Sequence, residues 1–315
     1  MKVYHLSYPI QPQSMPASSI AIGNFDGIHK GHQMVIGEAK RLADRLGLAS
    51  GVMTFHPHPK EVLGQVTTSS YLTPLPDKLS ILEKMDLDLA FIVQFTPELS
   101  KLSPEQFIEH FIACLNVKQV VTGFDFRFGQ QGKGNVETLL RWSKEKGDFL
   151  FHYISKIELK DEKISSTRVR RLLGQGDVYQ VMQLLGRPYR ITGQVVTGER
   201  RGRTIGFPTA NLSLCHPYVI PKRGVYAIYA QVGGRQIPGV VNIGKKPTFH
   251  PSGQEISIEA HLFNFAGDLY GKMISLDFIR YLRDEQRFSS IDSLIKQINL
   301  DIAEAKQVLK GSTNG

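Results

Sequence analysis

Cysteine is scarce: only Cys114 and Cys215 occur in 315 residues, far apart in the chain. Neither has metal-ligand spacing, so a disulfide framework and a cysteine-built metal site are both unsupported, and a reducing cytoplasmic setting is the default. Cys114 lies in the apolar stretch FIEHFIACL, where a buried, inert thiol is expected. No apolar run approaches membrane-spanning length, and the N-terminal MKVYHLSYPIQPQSMP lacks the unbroken apolar core of a secretory signal. A membrane partner is therefore not expected. Internal repeats, low-complexity tracts and a basic tail are absent as well.

Hydrophobic residues make up 41% of the chain and charged residues 21%, proportions of an ordinary globular protein. The length suggests two domains, each long enough to bury its own core. A formal net charge of +9 leaves two partner classes open, nucleic acid or anionic small molecules. The positive residues cluster in RVRR (Arg168 to Arg171) and ERRGR (Glu199 to Arg203), both set in Gly/Ser/Thr-rich motifs. That setting favours phosphate pockets. Nucleic acid would call for exposed aromatics interleaved with basic residues on strands.

The first half alternates strand and helix. SIAIGNF, ASGVMTF, DLAFIVQF, VKQVVTGF and GDFLFHYI read as strands; HQMVIGEAKRLADRLG, TPLPDKLSILEKM, SPEQFIEHFIACL and NVETLLRWSKEKG read as helices. Such alternation predicts parallel strands with helical crossovers, an α/β Rossmann-like sheet. After VYQVMQLLG, which ends at Gly186 before Pro188, the rhythm changes. ITGQVVTG, GVYAIYAQV, RQIPGVVNIG, EISIEAHLFNF and KMISLDFIRYL follow one another without helices, which predicts an antiparallel barrel or sandwich. SSIDSLIKQINLDIAEAKQVL closes the chain as an amphipathic helix that Ser290 or Asp292 can cap. The domain boundary is placed near 184–187, giving domains 1–185 and 186–315.

The densest chemical signal is Gly23-Asn24-Phe25-Asp26-Gly27-Ile28-His29-Lys30-Gly31-His32, between the first strand and the first helix. In such a sheet ligands bind at the carboxyl ends of strands, where this loop must lie. Glycines admit backbone N–H groups to a phosphate, and the helix N-terminus adds positive potential. His29 and His32, three apart, share one face and are placed to donate to nucleotide phosphates. A lone HxGH would compete poorly with a turn carrying two surface histidines; its position between strand and helix argues for the site. A second constellation, Ser165-Ser166-Thr167-Arg168, resembles a helix cap with free backbone donors and a fixed cation. His56 and His58 suggest a metal, but Pro57 and Pro59 make the loop stiff and no third ligand is evident.

HxGH together with ISSTxxR resembles the nucleotidyltransferase superfamily. GNFDGxHxGH, TFHPHP (Thr54 to Pro59) and GFDFRFG (Gly123 to Gly129) resemble, more narrowly, the FMN adenylyltransferase module of bacterial bifunctional FAD synthetases. The resemblance implies in-line attack of an FMN phosphate oxygen on the α-phosphorus of ATP, with pyrophosphate leaving and no covalent enzyme intermediate. Catalysis would then be positioning plus charge stabilisation. By the same resemblance Gly23, Asn24, Phe25, Gly27, His29, His32, Ser165, Ser166, Thr167 and Arg168 serve ATP. Asp125 and Arg127 would lie in the nucleotide or flavin site, and His56, Pro57 and His58 read as flavin-site wall.

In the second half, Gly202-Arg203-Thr204-Ile205-Gly206-Phe207-Pro208-Thr209-Ala210-Asn211 reads as a flexible glycine loop running into a rigid turn that presents a hydroxyl and an amide. Those groups suit Mg²⁺ and phosphate; a plain hairpin turn is the competing reading. GRxxGFPTAN resembles riboflavin kinase, and so do LGRPY, GVY, NIGxxPT, IEAHLF, DLYG and YLRDEQRF further along. The resemblance implies a six-stranded antiparallel barrel with a C-terminal helix. It makes Glu259 the base on the alcohol, Thr209 the Mg²⁺ ligand with Asn211 beside it, Gly202 and Arg203 an ATP lid, and Arg283 a neighbour of the flavin. Asn264 stands where the family usually has Asp, which touches a local hydrogen bond only.

These readings predict an enzyme of riboflavin, FMN and ATP, with Mg²⁺ as cofactor and no nucleic-acid partner. One decayed module, or a first module acting on pantetheine phosphate or a pyridine mononucleotide, are the alternatives; intact signatures in both halves and GFDFRFG weigh against them. Nothing in the sequence decides between a monomer and a homo-oligomer.

Overall fold

The computed structural model describes residues 1–11, 14–65, 70–159, 161–198, 202, 205–246 and 255–311. The chain divides into two units, Met1–Ser166 and Thr167–Gly315.

Six parallel strands form the sheet of the first unit: β1 (Lys2–Leu6), β2 (Ser18–Ile22), β3 (Ala49–His56), β4 (Leu89–Gln94), β5 (Val117–Gly123) and β6 (Leu150–Ile154). Helices α1 (Lys30–Leu46), α2 (Pro59–Val62), α3 (Leu75–Glu83), α4 (Pro104–Ile108) and α5 (Val136–Lys146) lie between them. The sheet order β1-β4-β3-β2-β5-β6 runs outward from β2 on one side and outward from β5 on the other. The switch point therefore lies between β2 and β5, and the loops leaving those two strands face the same crevice. All five residues of β2 are buried, with Ile20 and Ile22 in one core layer and Ala21 in the other. A strand buried on both faces reads as an unbroken apolar run, which is why SIAIGNF was legible. A short hairpin, β7 (Glu158–Leu159) and β8 (Glu162–Lys163), precedes the end of this unit.

The second unit starts with α6 (Ser166–Gln175, whose first residue closes the first unit) and α7 (Val178–Leu185). A closed antiparallel barrel follows, ordered β10-β13-β12-β11-β14-β9. Its strands are β9 (Tyr189–Val196), β10 (Ala210–Leu214), β11 (Gly224–Val232), β12 (Arg235–Lys246), β13 (Glu255–Leu262) and β14 (Met273–Arg283). Of the two β architectures the periodicity left open, the barrel is the one formed. The final helix α8 (Ile291–Gly311) packs Ala305 and Leu309 against Val225, Ala227, Val240, Phe263 and Ile279. Burying a leucine such as Leu309 contributes about 2 kcal/mol. Ser290 Oγ accepts from the Ser293 N–H at 3.2 Å, the cap expected of that position. α7 packs on β14 and β9, and Lys222 N–H donates to the Leu173 carbonyl of α6, so both helices belong to the barrel unit.

One expectation is overturned. Cys114 is exposed, not buried. The helix widens to a π turn over Glu109–Ala113, so Phe111, Ile112 and Leu115 take the buried positions while Ala113 and Cys114 face outward.

Candidate functional sites

β2 ends at Ile22 and the chain turns sharply into α1. The turn needs left-handed backbone at three places: Phe25 (φ 47°), Gly27 (φ 89°) and Ile28 (φ 40°). Two of these are not glycine, so the surroundings must hold the conformation. Several contacts do so. The Asp26 carboxylate, buried, accepts from Leu72 N–H at 3.3 Å and Thr73 N–H at 3.1 Å. The Asn24 carbonyl accepts from Lys78 Nζ at 2.7 Å and Thr54 Oγ1 at 3.0 Å. Ser166 Oγ donates to the Asp26 carbonyl at 2.8 Å, which draws the ISST segment onto the turn.

His29 is the N-cap of α1, and its Nδ1 accepts from His32 N–H at 3.2 Å. The rings of His29 and His32 stack, 3.6 Å between centroids and 18° between planes, and Phe25 meets His32 edge-on at 5.3 Å. Burial pulls the His29 pKa down to about 4, against the opposing field of Asp26. Burial, with His29 and Lys78 nearby, holds His32 well below the usual imidazole value. Both rings are neutral at pH 7. Because a backbone N–H can only donate, His29 Nδ1 must accept, and its proton resides on Nε2 as a donor for a ligand. A Cβ at Gly31 would lie 3.2 Å from the His29 ring, so the glycine of HxGH makes room for the histidine before it.

Gly23 and exposed Asn24 open the turn, while Gly27 is buried within it and Phe25 beneath it, 2% exposed. Half-buried Ser165 precedes Ser166; exposed Thr167 and buried Arg168 form the first turn of α6. Asp125 and Arg127 are exposed in the turn after β5, the strand next to β2. The Asp125 carboxylate pairs with Lys163, whose ammonium also lies 4.7 Å from the Phe124 ring centre. His56, at the end of β3, packs against Tyr71 at 6.0 Å, and half-buried Pro57 follows it. His58 caps α2 by accepting from Lys60 N–H at 3.1 Å, a structural task. Sequence reading missed Lys78, Thr54 and the carboxylate of Asp26. Asp26 and Thr54 sat inside quoted motifs, whereas Lys78 gave no local signal.

In the barrel, Asn211 of β10 pairs in register with Glu259 of β13, and Glu259 pairs on its other side with Asn242 of β12. Directly opposed residues project from the same face, so two amides flank one carboxylate. Thr209 is half-buried just before β10. A Cβ at Gly202 would lie 2.4 Å from the Phe207 carbonyl and 3.5 Å from Thr209 Oγ1. Phe207 N–H donates to the Gly202 carbonyl at 2.8 Å, so only glycine fits against the FPTAN turn. His261, also missed, bonds the Pro208 carbonyl at 2.9 Å through a ring nitrogen and secures the turn from β13. Thr209, Ala260, Leu262, Phe265, Asp268 and Tyr270 line a cavity of about 600 Å³. Arg283 is held by Asp301 of α8 in a two-pronged ion pair, 2.8 and 2.7 Å, so its guanidinium fixes the helix to β14. Asn264 adopts φ 54°, a conformation that asparagine tolerates well. Arg203 lies outside the described residues.

Two family models match the chain: FAD synthetase over residues 11–168 and riboflavin kinase over 185–309. The Bacillus subtilis bifunctional riboflavin kinase/FMN adenylyltransferase is 43% identical over 309 residues, 97% of each chain. The chain belongs to this bifunctional family. The Listeria monocytogenes relative of the same name is 38% identical over 96% of each chain, and that of Escherichia coli K12 is 37% identical over 91% of each. A crystal structure described as a macrolide-efflux protein from Streptococcus pneumoniae matches with a TM-score of 0.86 at 31% identity, covering 96% of this chain and 99% of that one. Among the described residues of the present chain no helix is long and apolar enough to cross a membrane.

Proposed function

We propose that this chain phosphorylates riboflavin to FMN in residues 186–315 and adenylylates FMN to FAD in residues 1–185, with ATP as co-substrate in both steps. The observation that carries the reading is that each half gathers its own chemically distinct set of groups: a neutral histidine pair on a strand-to-helix turn in one, a carboxylate between two amides beside a threonine turn in the other.

In the first half the ATP phosphates lie against Gly23, Asn24, Phe25, Gly27, His29 and His32. The helix N-terminus supplies backbone donors and His29 supplies its Nε2–H. A neutral imidazole held in place by its cap bond and by stacking is a preorganised N–H donor for the negative charge that builds on the leaving pyrophosphate. By the family resemblance Ser165, Ser166, Thr167 and Arg168 also serve ATP. His56, Pro57, Asp125 and Arg127 hold the flavin side, and the FMN phosphate attacks the α-phosphorus directly.

In the second half Glu259 accepts the alcohol proton as the new bond to phosphorus forms. Gly202 and Arg203 cover ATP, and Arg283, through its pairing with α8, shapes the flavin side. The hydroxyl oxygen of Thr209, with the amide oxygen of Asn211 beside it, is the kind of hard donor that Mg²⁺ takes. Among the described residues no three His, Cys, Asp or Glu side chains cluster as a metal cage, which fits an ion carried largely by phosphate oxygens. When bound, Mg²⁺ neutralises charge on the transferring phosphoryl group. The unpaired thiols of Cys114 and Cys215 fit a reducing, cytoplasmic setting.

The test is incubation with riboflavin, ATP and Mg²⁺, with products resolved over time. FMN should appear first and FAD after it, and chelation of the metal should stop FMN formation. Absence of both flavin products would refute the reading.

A further inference from the structure

Lys78 faces inward from α3 and is 5% exposed. A lysine is seldom buried unless its charge has a task and partners. Its Nζ donates to the Asn24 carbonyl at 2.7 Å and to Thr54 Oγ1 at 3.3 Å, while the Thr54 hydroxyl donates to the same Asn24 carbonyl at 3.0 Å. Two donors thus fix one peptide plane, the one joining Asn24 to Phe25. In a trans peptide the carbonyl and the N–H point in opposite directions, so the Phe25 N–H is turned away from Lys78. Phe25 itself is held at φ 47°, a conformation it would leave without such restraint. The groups facing the ammonium are Asp26 of the same turn, His32 of α1 and His56 of β3. Burial brings the Lys78 pKa down to about 8, with Asp26 opposing the shift.

We propose that Lys78 is a positioning residue for adenylyl transfer, which holds the Asn24–Phe25 peptide from behind and places a buried positive charge under the turn that receives the triphosphate. The role rests on the ATP reading of that turn given above. A hydrocarbon chain of the same length would fill the same space, but it would neither bond the carbonyl nor attract phosphate.

The experiment compares the full chain with Lys78→Met, Lys78→Arg and Thr54→Val. FMN-to-FAD kcat and KM for ATP are followed from pH 6.5 to 9.5, with riboflavin phosphorylation and thermal unfolding measured on the same preparations. Lys78→Met should lower kcat/KM for ATP about tenfold to a hundredfold near neutral pH, the range for losing a hydrogen bond to a charged group. The unsubstituted chain and Thr54→Val should lose activity above pH of about 8 as the ammonium deprotonates. That alkaline limb should be missing in Lys78→Met and moved upward in Lys78→Arg, a change that a space-filling role would not produce. Riboflavin phosphorylation should be unchanged throughout.

A folded Lys78→Met with unaltered kcat/KM, or with the alkaline limb intact, overturns the proposal. If neither substitution at 78 folds, Thr54→Val decides: a severalfold fall supports the proposal and unaltered adenylylation overturns it. No FAD from the unsubstituted chain would sink the adenylylation reading, and the Lys78 role with it. FAD formation that is indifferent to Lys78 sinks only the latter.

Discussion

Replacing Gly31 by alanine should separate stability from activity. Gly31 is the second residue of α1, where alanine improves helix propensity by up to about 1 kcal/mol. Against that gain, the new Cβ would stand 3.2 Å from Cε1 and Nδ1 of His29. The ring has little room to give way: it is 5% exposed and stacked on His32 at 3.6 Å. It must shift by a few tenths of an ångström, weakening a cap bond of about 1 kcal/mol. The two effects nearly cancel, so the melting temperature should move by no more than roughly 4 °C. Adenylylation should not be spared. A displacement of 1 Å at a reacting centre costs on the order of a hundredfold, so a few tenths should lower the FMN-to-FAD rate about threefold to thirtyfold. Chromatographic separation of FMN and FAD reads the rate, and riboflavin phosphorylation by the same chain provides the internal control. Unaltered adenylylation with unaltered melting would refute the claim that the His29 ring position matters.

Gly202→Ala should cut riboflavin phosphorylation by about tenfold or more and leave FMN adenylylation intact, because a Cβ 2.4 Å from the Phe207 carbonyl displaces the turn that carries Thr209; separate kinetics of the two steps check this. Asp301→Asn should lower the unfolding free energy by about 2 kcal/mol in urea titrations, less than a fully buried pair because Arg283 keeps some solvent contact and asparagine still accepts one bond. His29 has a folded pKa of about 4, below its unfolded value of 6.5, so the unfolded chain takes up the proton first. Stability should therefore fall as pH drops through 6.5, by at most about 3 kcal/mol once pH is below 4, and His29→Asn should lack this part of the acid loss in paired denaturation curves.

Much of the first fold was readable because buried parallel strands leave unbroken apolar runs, and HxGH follows the most buried of them. β1 was not read: its KVYHL segment has only one buried position and stands at the sheet edge. β10 was not read as a strand either, since it begins inside the GFPTAN signature with Pro208 just before it. The register that sets Glu259 opposite Asn211 depends on barrel closure, which no local pattern carries. Lys78 was invisible for a similar reason. In TPLPDKLSILEKM a lysine reads as a solvent-facing residue, and its burial is explained only by distant groups, chiefly the Asn24 carbonyl 54 residues away. Cys114 misled because a helical period of 3.6 does not foresee a π turn. The packing of α7 on β9 and β14 is likewise a contact between distant segments that no local pattern announces.

The most direct test of two separate sites is a paired product time course from Glu259→Ala and the double variant His29→Ala with His32→Ala, each given riboflavin or FMN with ATP and Mg²⁺. Glu259→Ala should make no FMN from riboflavin yet convert supplied FMN to FAD. The histidine variant should accumulate FMN and stop there. Loss of both activities in either folded variant would contradict the account.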